Sequence, residues 1–238
     1  MSTHNGNHEP LHCENCQIRS AGMFCNLPAG AAAAFTANKH TSTFPAGTFL
    51  FFERESNRGV YIVCSGQIKL SVSSSSGKTL ILKIARPGDI LGLSSSLTGA
   101  AYEATAEVLQ TARVTYLRTD ELRTIMLQYP DVYASIIRQL NLQYETACEQ
   151  LRTIALCNST TEKVARLLLQ WSRQGRQTPE GTQFTVPLTH EQIAECVGAT
   201  RETITRTLSD FRNKHLIALH GANMVIPDRH ALAMVCGA

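Results

Sequence analysis

The period of the hydrophobic positions differs between successive stretches of the chain. Residues 1–30 are polar, contain cysteine and glycine, and keep no period, which predicts an irregular arm. An alanine-rich run at 29–34 favours the start of a short helix. Residues 44–117 then consist of short apolar runs interrupted by glycine and proline, which is typical of β-strands. We expect strands at 48–52, 60–63, 67–72, 79–84 and 113–117.

These strands are predicted to form a small barrel or jelly roll. The polar segment 73–78 has the composition of a hairpin turn between two of them. Short antiparallel strands at close spacing, with glycine at their bends, are typical of such β folds. Turn geometry explains these glycines better than ligand contact, because glycine adopts backbone conformations that other residues avoid. The bends carry Gly47, Gly59, Gly66, Gly77, Gly88 and Gly92.

The period becomes helical from residue 119 to residue 157. Pro130 separates a short helix from a long one of about 26 residues, which begins near Asp131 and spans roughly 39 Å at 1.5 Å per residue. Apolar residues in the long helix recur at alternating intervals of four and three, as in helices packed side by side. This narrow stripe, followed at once by a new helix start, favours a homodimer over an intramolecular core face. The dimer seam consists of Tyr133, Ile137, Leu140, Tyr144, Ala147, Leu151 and Ile154.

The new helix start is a capping box. Ser159 and Glu162 have the spacing of such a box, and they precede an apolar face that includes Val164 and Leu168. Asn158 and Ser159 are therefore the expected hinge between two domains.

Residues 188–215 predict two short helices joined by a tight turn. Thr189 and Gln192 form a capping box for the first helix, Gly198 ends it, and Thr200 caps the second. This is the helix-turn-helix pattern. A hairpin over 216–226 follows and makes the domain a winged helix. The small and apolar positions needed where the two helices cross are supplied by Ala194, Gly198, Ile204 and Leu208.

The exposed start of the second helix carries the candidate base-reading residues. An arginine can donate two hydrogen bonds to guanine, and a glutamate can accept one from the cytosine amino group. Glu202 and Arg206 lie four residues apart on one helix face, so an alternative to base reading is a solvated ion pair between them. The complete helix-turn-helix pattern favours base reading. The candidate DNA-contacting residues are Thr189, His190, Thr200, Arg201, Glu202, Thr205 and Arg206.

Composition narrows the function further. Of the 238 residues, 43% are hydrophobic, which excludes a wholly disordered chain. The formal net charge of +3 is too small to identify a binding partner by itself. The apolar runs fall short of the roughly 18 residues of a membrane span, and no secretory signal opens the chain, so we expect a cytoplasmic protein without a membrane partner. No Ser–His–Asp order, phosphate loop or paired-carboxylate motif stands out, which predicts that the protein is not an enzyme.

With these features, residues 30–230 resemble the Crp–Fnr family of bacterial transcription regulators. The resemblance implies an α+β fold with an arm (1–30), a cyclic-nucleotide-binding-like β-roll (31–130), a dimerisation helix (131–157) and a winged helix-turn-helix DNA-binding domain (158–238). It also implies a homodimer on a pseudo-palindromic double-stranded DNA operator, with RNA polymerase as a further partner. Arg201, Glu202 and Arg206 match the family's reader of a guanine-containing half-site, and the equivalent of Thr205 contacts DNA in the Fnr branch.

The resemblance also points away from cyclic AMP as the signal. Relatives that bind it have a Gly-Glu pair and a later Arg-Ser pair around the cyclic phosphate. The matching stretches here, 87–93 and 102–104, contain no arginine, and Glu103 would repel the phosphate. We therefore expect that cyclic AMP does not bind.

The cysteines of the arm suggest a different signal. Cys13, Cys16 and Cys25 resemble the three N-terminal ligands of the [4Fe–4S] cluster in the oxygen-sensing Fnr branch, and thiolates suit such a cluster. The family's fourth cysteine falls near 112–115, where this chain has none. A fourth ligand would be Cys64, Cys148, His12, an acidic side chain or a group of the partner chain. The alternatives are a thiol–disulfide site, a zinc site or another effector in the β-roll. Packing is the expected role of Cys157, Cys196 and Cys236, and it is favoured over a ligand role for Cys64 and Cys148 as well.

Overall fold

The computed structural model describes residues 27–186, 188–220 and 223–236. Strands dominate the first half of this part of the chain, and helices with a small second sheet follow. The elements are α1 (Ala29–Asn38), β1 (His40–Phe44), β2 (Phe49–Phe51), β3 (Gly59–Ser73), β4 (Thr79–Ala85), β5 (Ile90–Leu91), α2 (Leu93–Thr98), β6 (Thr105–Arg118), α3 (Thr119–Gln128), α4 (Asp131–Leu156), α5 (Thr160–Trp171), β7 (Arg176–Thr178), β8 (Gly181–Thr185), α6 (His190–Val197), α7 (Arg201–Asn213), β9 (Ala218–His220), β10 (Asn223–Ile226) and α8 (Arg229–Met234). The predicted α+β fold class is confirmed.

The described residues form two compact units. The first contains the residues up to Val72 together with Lys83–Gln143, and the second contains Ser73–Leu82 together with the residues from Tyr144 onward. Helix α4 contributes its first half to one unit and its second half to the other. It has 26 residues, the length that the sequence predicts.

The larger sheet is built around two long strands. Its order is β1-β6-β3-β4, with β2 beside β6 and β5 beside β3. β3 and β6 are antiparallel, with Val60 opposite Leu117 and Leu70 opposite Ala106. The predicted hairpin at 73–78 is confirmed, because the Ser74 amide donates to the Lys78 carbonyl at 2.9 Å.

Two strand predictions need correction. The runs 60–63 and 67–72 belong to the single strand β3, whose register against β6 shifts at three points between Val63 and Ile68. These bulges bend the strand without ending it. The predicted strand 113–117 is the end of β6, which begins at Thr105. Its first half alternates polar and apolar residues, so it lacks the continuous apolar run used to find the others.

The core of the first unit lies between the sheet and helices α1, α3 and the start of α4. Leu117, Leu122 and Ile125 are fully buried there, and Val132 and Ile136 of α4 join them. Leu140 is the one member of the dimer seam that packs against this core, and it is half-buried. The inward face of α4 is therefore largely distinct from its seam.

The second unit packs α5 to α8 with a sheet of order β7-β8-β10-β9. The predicted cap of α5 is confirmed, because the Ser159 hydroxyl accepts from the Glu162 amide at 3.1 Å. In a capping box the glutamate carboxylate accepts from the amide of the N-cap residue, here Ser159. The Glu162 carboxylate instead accepts from the Asn158 amide, one residue earlier, at 2.9 Å. Strands β7 and β8, which were not predicted from the sequence, are short and polar and enlarge the predicted wing hairpin. No helix among the described residues has the length and hydropathy of a membrane span.

A glycine in the bulge of β3 provides a test of this packing. Gly66 has φ +82, and a Cβ added there would lie 2.5 Å from the Thr111 carbonyl oxygen. We expect Gly66→Ala to lower the free energy of unfolding by roughly 1–2 kcal/mol for the left-handed backbone and by about 1–3 kcal/mol more for the clash. Urea unfolding measures the difference.

The matched control is Gly77→Ala in the hairpin. Gly77 has φ +81, but a Cβ there would meet nothing within 4 Å. This variant should lose only the backbone contribution. Equal losses of unfolding free energy in the two variants would contradict the close approach of the β3 and β6 backbones at Gly66.

Candidate nucleic-acid interface

The turn between α6 and α7 is fixed by local hydrogen bonds at both ends. The Thr189 hydroxyl accepts from the Gln192 amide at 3.2 Å, and the Gln192 side-chain oxygen accepts from the Thr189 amide at 3.0 Å, so the predicted capping box is confirmed. The Thr200 hydroxyl accepts from the Thr203 amide at 3.3 Å at the start of α7. Both caps fix the position at which each helix begins.

Gly198 ends α6, as the sequence predicts. Its φ is +68, and a Cβ added there would meet nothing within 4 Å. The position therefore requires a left-handed backbone conformation, and the prediction that it provides a close approach between the helices is wrong. The other residues predicted for the crossing, Ala194, Ile204 and Leu208, are buried as expected. Cys196 is buried beside them and has the predicted packing role.

The polar face of α7 lies opposite this buried face. Arg201, Glu202, Thr205 and Arg206 are all exposed, whereas Ile204 and Leu208 are buried. Across the described part of the chain, Glu202 and Arg206 form no ion pair with each other, so both side chains are available to a ligand. The sequence predicts this exposure because residues four apart share one face of a helix.

Glu202 is held in its ionised form. Its own backbone amide donates to the carboxylate, and the Thr200 hydroxyl and the nearby Arg201 charge add to this effect, so that the pKa of Glu202 is lowered. An ionised carboxylate only accepts hydrogen bonds. Glu202 can therefore accept from the amino group of a base but cannot donate to a base carbonyl.

A hydrogen bond between the two helices was not predicted from the sequence. The Thr205 hydroxyl donates to the Arg201 carbonyl at 3.0 Å, and the His190 Nδ1 atom lies 2.8 Å from the same hydroxyl oxygen. Because a hydroxyl has a single proton, the His190 Nδ1–H group is the donor of the second bond. His190, at the start of α6, thus fixes the orientation of Thr205 on the exposed face of α7.

Positive charge is concentrated on α7. Arg201, Arg206 and Arg212 have no carboxylate partner among the residues described, while Lys214 pairs with Asp210 at 2.9 Å. Unpaired arginines on one helix surface provide the charge that phosphate contacts need.

In the segment that the sequence matches to a cyclic-nucleotide phosphate cassette, side chains of the chain itself contact one another. The Ser95 hydroxyl donates to the Glu103 carboxylate, which places a negative charge at this position. The Tyr102 ring stacks on Phe51 with 3.9 Å between ring centroids, and its hydroxyl donates to the Gly59 carbonyl at 3.0 Å. Burial raises the pKa of Tyr102, so its ring stays uncharged.

The structure describes only some of the predicted cluster ligands. Cys13, Cys16, Cys25 and His12 lie outside the described residues. Cys64 is half-buried on β3, and its Sγ lies 3.3 Å from the Thr115 Oγ1 atom on β6. Within residues 27–186, 188–220 and 223–236, no three His, Cys, Asp or Glu side chains converge as a metal site.

Cys148 is half-buried on α4 beside the dimer seam. Its thiol hydrogen-bonds with the Tyr144 hydroxyl and raises the pKa of Tyr144.

The dimer seam on α4 is largely exposed. Ile137 is 65% exposed, Tyr144 69% and Leu151 64%, although all three are large apolar or aromatic side chains. Tyr133 and Ala147 are exposed as well, whereas Leu140 and Ile154 are half-buried.

Two domain families match the sequence. Residues 162–235 match the Crp-like helix-turn-helix domain, and residues 41–129 match the cyclic nucleotide-binding domain. The chain is 29% identical over 217 residues to the CRP-like cAMP-activated global transcriptional regulator of Mycobacterium tuberculosis, covering 91% of this chain and 96% of that protein. It is 24% identical over 195 residues to the cAMP-activated global transcriptional regulator CRP of Salmonella typhimurium, covering 81% of this chain and 91% of that protein.

Solved structures show the same fold. FixK2 from Bradyrhizobium japonicum superposes with a TM-score of 0.75 at 21% identity, over 84% of this chain and 98% of that one. The c-di-GMP responsive global regulator CLP of Xanthomonas campestris superposes with a TM-score of 0.72 at 20% identity, over 84% of this chain and 100% of that one.

The exposed arginines of α7 allow a direct test of base reading. We expect Arg206→Ala to weaken binding to a guanine-containing palindrome by about 10-fold or more, because one bidentate contact to guanine contributes roughly 1–3 kcal/mol. Binding to unrelated DNA should change much less. Fluorescence anisotropy with both DNAs at one salt concentration measures the two affinities.

Arg176→Ala on β7 is the matched control, since Arg176 is exposed and lies outside α7. It should leave specific binding within about 2-fold of the unmodified protein. Equal weakening of specific and non-specific binding by Arg206→Ala would identify Arg206 as a phosphate contact instead.

Proposed function

The chain belongs to the Crp–Fnr family of bacterial transcription regulators, and we propose that it binds a pseudo-palindromic DNA operator as a homodimer. The observation that carries this proposal is the face of α7, where Arg201, Glu202, Thr205 and Arg206 are exposed together. The curated relatives named above are transcriptional regulators, which supports a role without catalysis.

The proposed reading places the start of α7 in the major groove. Arg201 and Arg206 donate to guanine O6 and N7, and the ionised Glu202 accepts from the cytosine amino group. The Thr205 hydroxyl has already donated its proton to the Arg201 carbonyl, so it offers a base only an acceptor or its methyl group. Thr189, His190 and Thr200 lie at the two helix starts, where backbone amides and hydroxyls suit phosphate oxygens.

The homodimer is supported by the dimer seam. Large apolar side chains that are well over half exposed along one stripe of a 26-residue helix are unfavourable in water. Pairing with α4 of a second copy covers this stripe along its length. A two-fold dimer presents two copies of α7, which fits half-sites about one helical turn apart. RNA polymerase is the further partner proposed for the DNA-bound dimer.

For the signal, we propose a [4Fe–4S] cluster held by Cys13, Cys16, Cys25 and Cys64. Four thiolates are the donor set that such a cluster takes, and the cluster supplies a centre that oxygen or nitric oxide can degrade. Cys64 is supported as the fourth ligand because its thiol is half-buried next to Thr115, in the stretch where the family's fourth cysteine falls. Thiol–disulfide chemistry or zinc on the same cysteines is the alternative proposal.

Cyclic AMP is not the proposed signal, although relatives are named for it. The side chains of Glu103 and Ser95 pair with each other in the cassette, and a carboxylate repels a cyclic phosphate. The cassette also offers no guanidinium that could bind a phosphate bidentately.

The dimer proposal is tested by charge on the seam. Ile137→Glu places a carboxylate within the proposed interface, so we expect a monomer at concentrations where the unmodified protein is a dimer. Light scattering after size exclusion measures the mass. Leu142→Glu is the matched control, because Leu142 is 56% exposed on α4 but off the seam. A dimer that withstands Ile137→Glu, or that Leu142→Glu breaks equally, would contradict the proposal.

The cluster proposal is tested on protein purified without oxygen. We expect broad visible absorption, matching iron and sulfide contents, and bleaching in air. Cys64→Ala should remove most of the iron and the absorption, whereas Cys148→Ala, which changes another half-buried cysteine, should keep both. A colourless protein after reconstitution would overturn the cluster. Stoichiometric zinc would support the alternative instead.

A further inference from the structure

The second unit contains a cavity where three helices meet. Its volume is about 580 Å³, within the roughly 300–1,000 Å³ of small-molecule sites. One wall is formed by the last turns of α4, one by a face of α5 and its following turn, and one by α8 and Cys236. None of its lining residues belongs to α7 or to the β-roll.

The lining of this cavity is strongly cationic. Arg152, Arg166, Arg173 and Arg229 line it, and Glu149 is the one carboxylate among the lining residues described. Arg173 uses that carboxylate, with its Nη1 atom 3.0 Å from the Glu149 Oε1 atom. The formal charge of the lining is therefore +4 from the arginines and −1 from Glu149, or +3 with histidine neutral.

The remaining arginines are not matched by acidic groups. Arg229 donates to the Ser172 backbone carbonyl at 3.2 Å, which leaves its charge without a counter-charge. Arg152 is exposed at the rim, and in the described ranges it has no carboxylate partner. Such an excess of guanidinium groups around one cavity attracts anions.

Arg166 adds an independent observation. Its Nε atom is buried and lacks a hydrogen-bond partner among the residues that the structure covers. A buried donor of a charged group without a partner is costly, and in native proteins such groups are usually satisfied by a ligand, an ion or water. The side chain of Arg166 lines the cavity, so an anion bound there would supply the missing counter-charge.

We propose that this cavity binds a small phosphorylated metabolite. A phosphate monoester carries close to two negative charges, and two of its oxygens can accept the paired hydrogen bonds that the planar guanidinium group of arginine donates. Arg152, Arg166 and Arg229 bind the phosphate, while Leu169 and Ala233 provide apolar contact for the carbon skeleton. None of the lining residues is a proposed cluster ligand or belongs to the cassette of the β-roll.

The position of the cavity gives the ligand a regulatory role. A ligand that contacts α4, α5 and α8 together favours the arrangement in which all three surround it. Helix α5 packs against α7 within the same unit, so the arrangement of α5 affects how α7 is held. Binding of the metabolite is thus coupled to DNA binding, because its affinities for the DNA-bound and the DNA-free arrangements of these helices differ.

The test is a binding measurement without DNA, which makes it independent of the proposed function. Glucose 6-phosphate, inorganic phosphate, citrate and chloride are titrated into the full chain at constant ionic strength, and calorimetry and thermal unfolding are followed. We expect saturable binding and a rise in Tm with the two phosphates. Chloride should give neither, and citrate should bind more weakly.

Arginine variants locate the site. We expect Arg152→Gln and Arg166→Gln each to weaken phosphate binding about 10-fold or more, since each loses a charge-assisted hydrogen bond. Arg176→Gln, an exposed arginine of the same unit outside the cavity, should bind as the unmodified protein does. Arg152 is exposed, so its variant keeps the test valid if Arg166→Gln does not fold.

Three results would overturn the proposal. The first is the absence of saturable phosphate binding, and the second is equal phosphate binding by Arg152→Gln and the unmodified protein. The third is a loss of non-specific DNA affinity in Arg152→Gln without any phosphate binding, which would make the cavity a contact for the DNA backbone.

Discussion

The orientation of α7 relative to α6 is the constraint on which DNA recognition by this chain depends. A left-handed residue at Gly198 and a cap at Thr200 fix where α7 begins, and hence which of its faces is buried. One register buries Ile204 and Leu208 and exposes the arginines. Starting the helix one residue earlier would rotate every side chain by about 100° and bury charge in the helix crossing.

The first unit keeps the fold of its matching domain family, and its own side chains pair at the position expected for a phosphate. The sheet that matches the cyclic nucleotide-binding domain is intact, with β3 and β6 as its long central strands. The groups around the expected phosphate are different, because Glu103 pairs with Ser95 and Tyr102 stacks on Phe51. A carboxylate at this position disfavours a bound anion without altering the backbone that carries it.

Helix α4 illustrates how one helix serves more than one surface. Val132 and Ile136 are buried in the core of the first unit, while Ile137 and Tyr144 on the seam are exposed. Its last turns contribute Glu149 and Arg152 to the cationic cavity. A helix repeats every 3.6 residues, so a few positions of difference are enough to separate these surfaces.

Much of this organisation is local and was therefore predictable. The caps at Ser159, Thr189 and Thr200, the bounds of α4 and the exposed residues of α7 follow from side chains within four positions of each other, where helix geometry relates spacing to direction. The strands were found less well. β6 was predicted only in its last part, and β3 was divided at its bulges, because strand pairing joins distant residues and leaves a weaker local pattern.

The sequence by itself thus determined the domain order, the helix-turn-helix and the stripe of apolar residues on α4. Only the tertiary structure decided which distant side chains meet. His190 and Thr205 are 15 residues apart, and Cys64 and Thr115 are 51 apart. The arginines of the cavity come from α4, α5, the turn after α5, and α8. The period of a sequence reports which face of an element a residue occupies, whereas the packing of whole elements decides which faces are brought together.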